Sequence, residues 1–393
     1  MTAISNSILP GTRRDSAVVG RHGGREEAVV DRPVGRQRRR SMRAPWLLRA
    51  AGSLGLAAAG LVWLAGAGGG ALAQAEEKVL NIYTSRHYQT DEALYQAFTE
   101  ATGIEINRLE GKDDALIERV RSEGANSPAD ILITVDAGRL WRAEQAGLFQ
   151  EVASPLLEAR VPAHLRHPEG RWFGFSQRAR MIFYNRDLVP AGAIGSYEDL
   201  ADPKWRGLVC IRSSSNIYNL SLLASLIAAH GEDMAEAWAR AVVANFARPP
   251  QGGDTDQIRA VAAGECGIAV ANSYYFARLL GSAKAADREA AQGLGVVFPN
   301  QDGRGTHINI SGAGVLAHAR HKAAAIRFLE FLTSETAQRI FADGNNEYPV
   351  VAELAPAPAL AALGEFKRDP LQVSRLGAKQ AAAQRIFDRV GWK

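Results

Sequence analysis

The sequence predicts an α/β fold made of two lobes, the first resumed after the second, and three observations carry that reading. Short apolar, β-rich runs alternate with helical periods along most of the chain. The part beyond residue 75, roughly 320 residues, exceeds one ordinary domain. Breaks rich in Pro and Gly at 168–174 and 303–314 divide it near its middle and again near its end. The expected lobes are 76–174 with 301–345, and 175–300 with 346–393. At 47% hydrophobic and 22% charged, a chain of 393 residues can bury real cores, which excludes a disordered or fibrous protein.

The strand candidates, in order, are 79–83, 104–108, 131–135, 181–184, 207–211, 267–271, 295–298 and 314–316. Between them, Leu94 and Phe98, then Leu116, Ile117 and Val120, then Leu220, Leu223 and Ile227 recur at helical spacing. Thr90 and Asp91 open the first of these helices and Thr102-Gly103 closes it. The alternation predicts mostly parallel strands.

The formal charge of +4 invites a nucleic-acid reading until it is located. Up to Ala73 there are 11 basic and 4 acidic residues, which leaves 35 against 38 downstream, about −3. That balance removes the nucleic-acid reading for the remainder. LGLAAAGLVWLAGA (54–67) follows Arg43 and Arg49 and thins into Gly68-Gly69-Gly70 before reaching the ~20 residues of a membrane span. It has the order of a secretory signal, with cleavage expected after Ala73, or after Ala75. Residues 1–41 carry no apolar period, and Met42 begins a conventional signal, so the leader reads 1–73 with Met42 as a possible true start. The Arg38-Arg39-Arg40 run lacks the hydrophobic follow-up of a twin-arginine signal. Cys210 and Cys266 are the only two cysteines. Export to an oxidising compartment favours their pairing.

In open α/β sheets, ligands gather where strands end at their carboxyl side. Three such loops stand out: Thr84-Ser85-Arg86-His87-Tyr88, the stretch from Arg212 to Tyr218, and Asn272-Ser273-Tyr274-Tyr275. Four of the nine tyrosines are here. One strand-end tyrosine is ordinary packing, but two in a row on a turn cannot both enter a core. Phenolate is a hard, anionic oxygen ligand that suits a hard, highly charged cation, and ferric iron fits best. Such an ion lowers the phenol pKa far below about 10, so deprotonation accompanies binding.

At these residues the chain resembles a known family. YTSRHY (83–88), RSSSNIYN (212–219), ARPPQGGDTDQI (247–258), ANSYY (271–275), GTHINISGAGV (305–315) and NNEYPV (345–350) together are similar to the periplasmic iron-binding subunit of bacterial ferric-iron ABC importers, over 76–393. The resemblance implies a two-lobed periplasmic-binding-protein-like fold of type II with the ligand in the interlobe cleft. It implies five iron ligands, His87 and Tyr88 from the first lobe and Tyr218, Tyr274 and Tyr275 from the second. The cargo is Fe(III), with Fe(II) also open. The partners are an inner-membrane ABC permease and its ATPase, and the protein is expected to be monomeric. Some relatives add a Glu and a synergistic anion. The loop after 131–135 here reads Asp136-Ala137-Gly138-Arg139, which resembles the tyrosine-rich, anion-independent subgroup and leaves the sixth position open.

Arg139, Arg178 and Arg180 are candidates to offset phenolate charge. An ordinary solvated or salt-bridged arginine is the plainer reading for Arg139 and Arg178, and Arg180 stays open. His307 reads as structural. The Ser213-Ser214-Ser215 run has no nucleophile elbow or nearby base and reads as helix capping or backbone anion binding. The expectation is therefore a binding protein and not an enzyme. A binding protein for a small organic or anionic solute, or an exported hydrolase using Ser213 or Tyr275, are the alternatives.

Overall fold

A computed structural model describes residues 77–86 and 88–393. The export segment, its cleavage positions at Ala73 and Ala75, and His87 lie outside the described residues. Among the described residues there are nine strands: β1 Val79–Thr84, β2 Glu105–Glu110, β3 Ile131–Val135, β4 Phe173–Asn185, β5 Val209–Cys210, β6 Ile268–Asn272, β7 Leu294–Val297, β8 Ile308–Val315 and β9 Tyr348–Pro349. All eight expected strands are among them. Two are longer than their apolar runs suggest, because Ser176 to Arg180 in β4 and Asn309 to Ser311 in β8 carry polar side chains that find buried partners.

The expectation of mostly parallel strands is corrected. Only β1–β2, β1–β3 and β5–β6 pair in parallel, while β3–β8, β4–β8, β4–β6, β4–β7 and β4–β9 are antiparallel. Parallel pairs arise where a helix carries the chain back over the sheet. β4 and β8 do not return this way. They run through the middle of the molecule, in the order β2-β1-β3-β8-β4-β6-β5. The first half of β4, to Ala179, pairs with β8, and the second half, from Arg180, pairs with β6. One strand thus passes from one sheet to the other at Ala179–Arg180.

Burial follows the strand period. Ile182 faces one hydrophobic cluster with Leu223, Trp238, Ile268 and Phe387, while Met181 and Phe183 face another with Ile258, Val261 and Phe276. Because the second sheet is covered on both faces, its strands read as unbroken apolar runs. The first sheet packs Leu80, Ile82, Ile131 and Phe173 with Phe98 and Phe328. The C-terminal helix Ser374–Val390 joins both: Leu376 packs in this cluster, and Ala383, Ile386 and Phe387 pack in the one that holds Ile182.

Within GTHINISGAGV, Gly312 and Gly314 let neighbouring backbone approach. A Cβ on Gly312 would lie 2.6 Å from the Phe173 carbonyl oxygen, and one on Gly314 2.5 Å from that of Arg171. The helix Asp91–Thr102 ends as expected at Gly103, φ +72, whose N–H donates to the Thr99 carbonyl. Its start differs. The Thr90 hydroxyl donates to Asn345 Oδ1 at 2.6 Å and caps nothing. Cys210 and Cys266 form a disulfide, with Cα atoms 5.8 Å apart, that ties β5 to the residue two before β6. Among the described residues, no helix is long and apolar enough to cross a membrane.

Candidate metal centre

Each tyrosine is delivered by the end of a strand. β5 runs into the loop before the helix Ile217–His230, whose N-cap Asn216 accepts a hydrogen bond from the Tyr218 N–H at 3.1 Å. β6 runs directly into the helix Ser273–Leu280, so Tyr274 and Tyr275 occupy its first turn. Both placements put the tyrosines in the first turn of a helix that follows a strand. Tyr88 comes from the irregular loop after β1.

The structure brings the four described tyrosines together. Tyr218 Oη and Tyr274 Oη are 3.2 Å apart. The rings of Tyr274 and Tyr275 lie 4.2 Å apart between centroids. The Arg278 guanidinium sits 4.8 Å from the Tyr88 ring and 5.0 Å from that of Tyr274, so these two flank one cation from opposite sheets. Tyr274 is buried, while Tyr88, Tyr218 and Tyr275 are half-buried. His87, the fifth expected ligand, lies outside the described residues. Among the described residues, no cluster of three His, Cys, Asp or Glu side chains could hold a metal. Among the described residues, phenols are the donors gathered here.

Electrostatics make that set conditional. Burial pushes the Tyr218 phenol well above its ordinary range, and the neighbouring Tyr275 and Tyr88 push it further, against the opposing pull of Arg178 and the Tyr274 hydrogen bond. Tyr274 is raised for the same reasons, burial first and then Tyr218, Tyr275 and Tyr88. Left to themselves these phenols stay protonated at neutral pH. A multiply charged cation offsets both the burial and their mutual repulsion, so binding and proton loss are coupled.

Two buried acids organise the surrounding arginines, and sequence reasoning assigned neither of them a role. Glu347 in NNEYPV pairs with Arg86 at 3.0 Å and Arg178 at 3.4 Å, and accepts from Ser176 Oγ at 3.0 Å. Asp254 in ARPPQGGDTDQI pairs with Arg180 at 2.6 Å and Arg212 at 3.4 Å, and accepts from the Asn272 N–H at 2.8 Å. The only signal for them was a carboxylate inside a motif whose other residues pointed to the site. Arg178 is salt-bridged as read, and its guanidinium also stands 5.9 Å from the Tyr274 ring. The open case of Arg180 resolves the same way: it is ion-paired, fully buried and 5.7 Å from the Tyr218 ring.

The remaining candidates are not at the centre. Arg139 pairs with Asp113 at 3.1 Å and Asp114 at 3.5 Å. His307 is buried, and its backbone N–H donates to Tyr197 Oη at 3.2 Å. Burial, with Arg304 and Arg180 nearby, pushes its imidazole down to about 3, so it is neutral and structural. Asn216, not the Ser213-Ser214-Ser215 run, supplies the helix cap; Ser213 Oγ and Ser215 Oγ bond each other at 3.0 Å.

Residues 126–365 match the family described as bacterial extracellular solute-binding protein. The chain belongs to that family. Among curated family relatives, iron uptake protein A2 of Synechocystis is 54% identical over 323 residues, 82% of this chain and 92% of that protein. A solved structure of Trichodesmium FutA, in complex with iron and citrate ligands, is 57% identical with a TM-score of 0.78, covering 80% of this chain and all of that one. The ferric binding protein of Campylobacter jejuni is 42% identical with a TM-score of 0.76, again over 80% of this chain and all of that one. The chain therefore has the two-lobed, type II fold of the periplasmic binding proteins, and these family relatives are iron-binding and iron-uptake proteins rather than enzymes.

Proposed function

We propose that the protein is the extracytoplasmic receptor of a ferric-iron importer, capturing Fe(III) with His87, Tyr88, Tyr218, Tyr274 and Tyr275 and delivering it to an inner-membrane ABC permease and its ATPase. The observation that carries this reading is the convergence of four tyrosines from three strand ends, with Tyr218 and Tyr274 hydroxyls 3.2 Å apart and Tyr88 reaching the same guanidinium as Tyr274. Iron bound in the related Trichodesmium structure supports iron as the cargo, the name of the Campylobacter jejuni ferric binding protein supports its ferric state, and the citrate in the Trichodesmium structure supports an exogenous carboxylate as the partner that fills any remaining position. Periplasmic residence is supported by the name of the Fe(3+)-binding periplasmic protein of Serratia marcescens, 29% identical over 79% of this chain. The signal would be cleaved after Ala73 or Ala75, and the mature protein would act as a monomer.

The proposed lobes are 76–174 with 301–345, and 175–300 with 346–393. In support, one hydrophobic cluster gathers most of the first set and the two others most of the second. Val350, Val373 and Leu376 pack with the first set, so the C-terminal segment couples the lobes. Only the closed arrangement offers ligands from both sides, so iron favours closure and permease docking that reopens the lobes releases it.

Titration of the metal-free protein with ferric citrate, followed by visible absorbance, tests this. A phenolate-to-iron charge-transfer band saturating at one iron per chain is expected in the wild type, and its loss in the Tyr274→Phe, Tyr275→Phe double variant. A wild-type protein that stays colourless overturns the assignment.

A further inference from the structure

Asp136, directly after β3, has a conformation that strands do not use, φ +86 and ψ 127. A non-glycine residue held at positive φ is strained and persists only where its surroundings over-determine it. Those surroundings are polar and specific. Its carboxylate, fully buried, accepts from the Gly138 N–H at 2.8 Å, from Asn309 Nδ2 on β8 at 2.8 Å, and from Ser221 Oγ at 2.7 and 2.9 Å. The backbone reinforces this: the Asp136 N–H donates to the Ile310 carbonyl at 2.9 Å, and the Ala137 N–H to Asn309 Oδ1 at 2.9 Å.

No cation among the described residues is within ion-pairing distance of Asp136; its neighbour Arg139 goes instead to Asp113 and Asp114. A buried carboxylate without a paired cation is expensive, and this one is held by hydrogen bonds alone, that from the Gly138 N–H being the N-cap of the helix Ala137–Gln145. Its partners show what the arrangement accomplishes. β3 belongs to the first sheet, whereas Ser221 lies on the helix Ile217–His230, whose Leu222, Leu223, Leu226 and Ile227 pack in the cluster over the second. Ser221 follows Tyr218 by three residues, so both stand on one side of the helix. Gln380 Nε2, from the C-terminal helix, donates to Ser221 Oγ at 3.2 Å and orients it.

We infer that Asp136 and Ser221 form an interlobe latch, a pair of positioning residues that holds the Tyr218 helix against the end of β3 and so sets how long the closed site retains its cargo. The inference rests on the ferric-iron reading for the identity of the cargo, but the latch itself is a property of the metal-free chain. It is tested with the full mature protein and the variants Ser221→Ala, Asp136→Asn and both together. One readout is the rate at which iron passes to excess EDTA, followed by decay of the charge-transfer band. The other is the radius of gyration of the metal-free protein in solution scattering.

Removing a hydrogen bond to a carboxylate is expected to speed release roughly tenfold in Ser221→Ala. The double variant should release iron no faster than the faster single one, because both remove the same contact. In scattering, Ser221→Ala should be more expanded than wild type. Release within twofold of wild type in Ser221→Ala, or effects of the two substitutions that simply multiply, overturns the latch. If the wild type shows no charge-transfer band, it is the iron reading that fails; the scattering comparison then decides the latch, and an unchanged radius of gyration overturns it. If Asp136→Asn does not fold, Ser221→Ala carries the decision alone.

Discussion

Tyr88 reaches the centre from an irregular loop after β1, whereas Tyr218, Tyr274 and Tyr275 stand in the first turns of two helices. On the second side the supporting structure is densely cross-linked. Tyr218 and Tyr274 touch, Asp254 holds Arg180, Arg212 and the Asn272 backbone together, and the Cys210–Cys266 disulfide ties the strands that feed both helices. On the first side the Tyr88 ring lies against Arg86, 5.0 Å away, and Arg86 is anchored in turn by Asp91 and Glu347. The difference suggests a division of labour in which three tyrosines form a standing half-site and one arrives with closure.

The largest effect should therefore come from breaking the standing half-site. Tyr274→Phe with Tyr275→Phe is expected to abolish the charge-transfer band. Tyr88→Phe should retain a weakened, shifted band and lose affinity by at least the roughly 10–100-fold typical of outer-shell partners. Equal losses in the two variants, read by competition with citrate, would mean that the two sides contribute alike and the asymmetry is wrong.

Next in size is the anchor shared by the two sides. Glu347→Gln leaves Arg86 and Arg178 buried with one charge fewer between them, and breaking a buried pair in this way costs about 3–5 kcal/mol. Chemical denaturation of the metal-free protein should show that loss. Replacing both cysteines by serine should cost about 2–5 kcal/mol by the same measurement. It should also broaden the charge-transfer band, because the strand ends that place Tyr218 and Tyr274 would no longer be tied. A lowered stability with an unchanged band would assign the disulfide to the fold alone.

How much of this was legible in the sequence follows from what kind of pattern each feature leaves. Buried strands such as β5 and β6 announce themselves as apolar runs, and their carboxyl ends pointed to Tyr218, Tyr274 and Tyr275. The polar half of β4 did not, because Ser176, Gln177, Arg178 and Arg180 are buried through partners distant in sequence, among them Glu347 and Asp254. Strand direction was misjudged for a related reason. Alternating strands and helices suggest βαβ units, but a strand shared by two sheets is a tertiary arrangement with no local period. Asp136 carried no signal either, since its positive φ and its hydroxyl partner 85 residues away appear only in three dimensions.

The smallest effect tests the standing half-site without metal. In the metal-free protein the folded pKa values of Tyr218 and Tyr274 lie above the unfolded value of about 10, with burial as the first cause. A group raised in this way contributes stability that is fully present below pH 10 and is lost as pH climbs through the folded value, because the unfolded chain releases its proton first. The denaturation midpoint of the wild type should therefore fall above pH 10. Burial also pushes Tyr95 up to about 12, so part of that fall is common to every variant. Tyr218→Phe and Tyr274→Phe should each flatten it, whereas a Tyr95→Phe control should flatten it independently and additively. Tyr218 and Tyr274 should not add, because each owes part of its shift to the other or to their shared neighbours, and strictly additive slopes would mean that the two phenols do not share a site in solution.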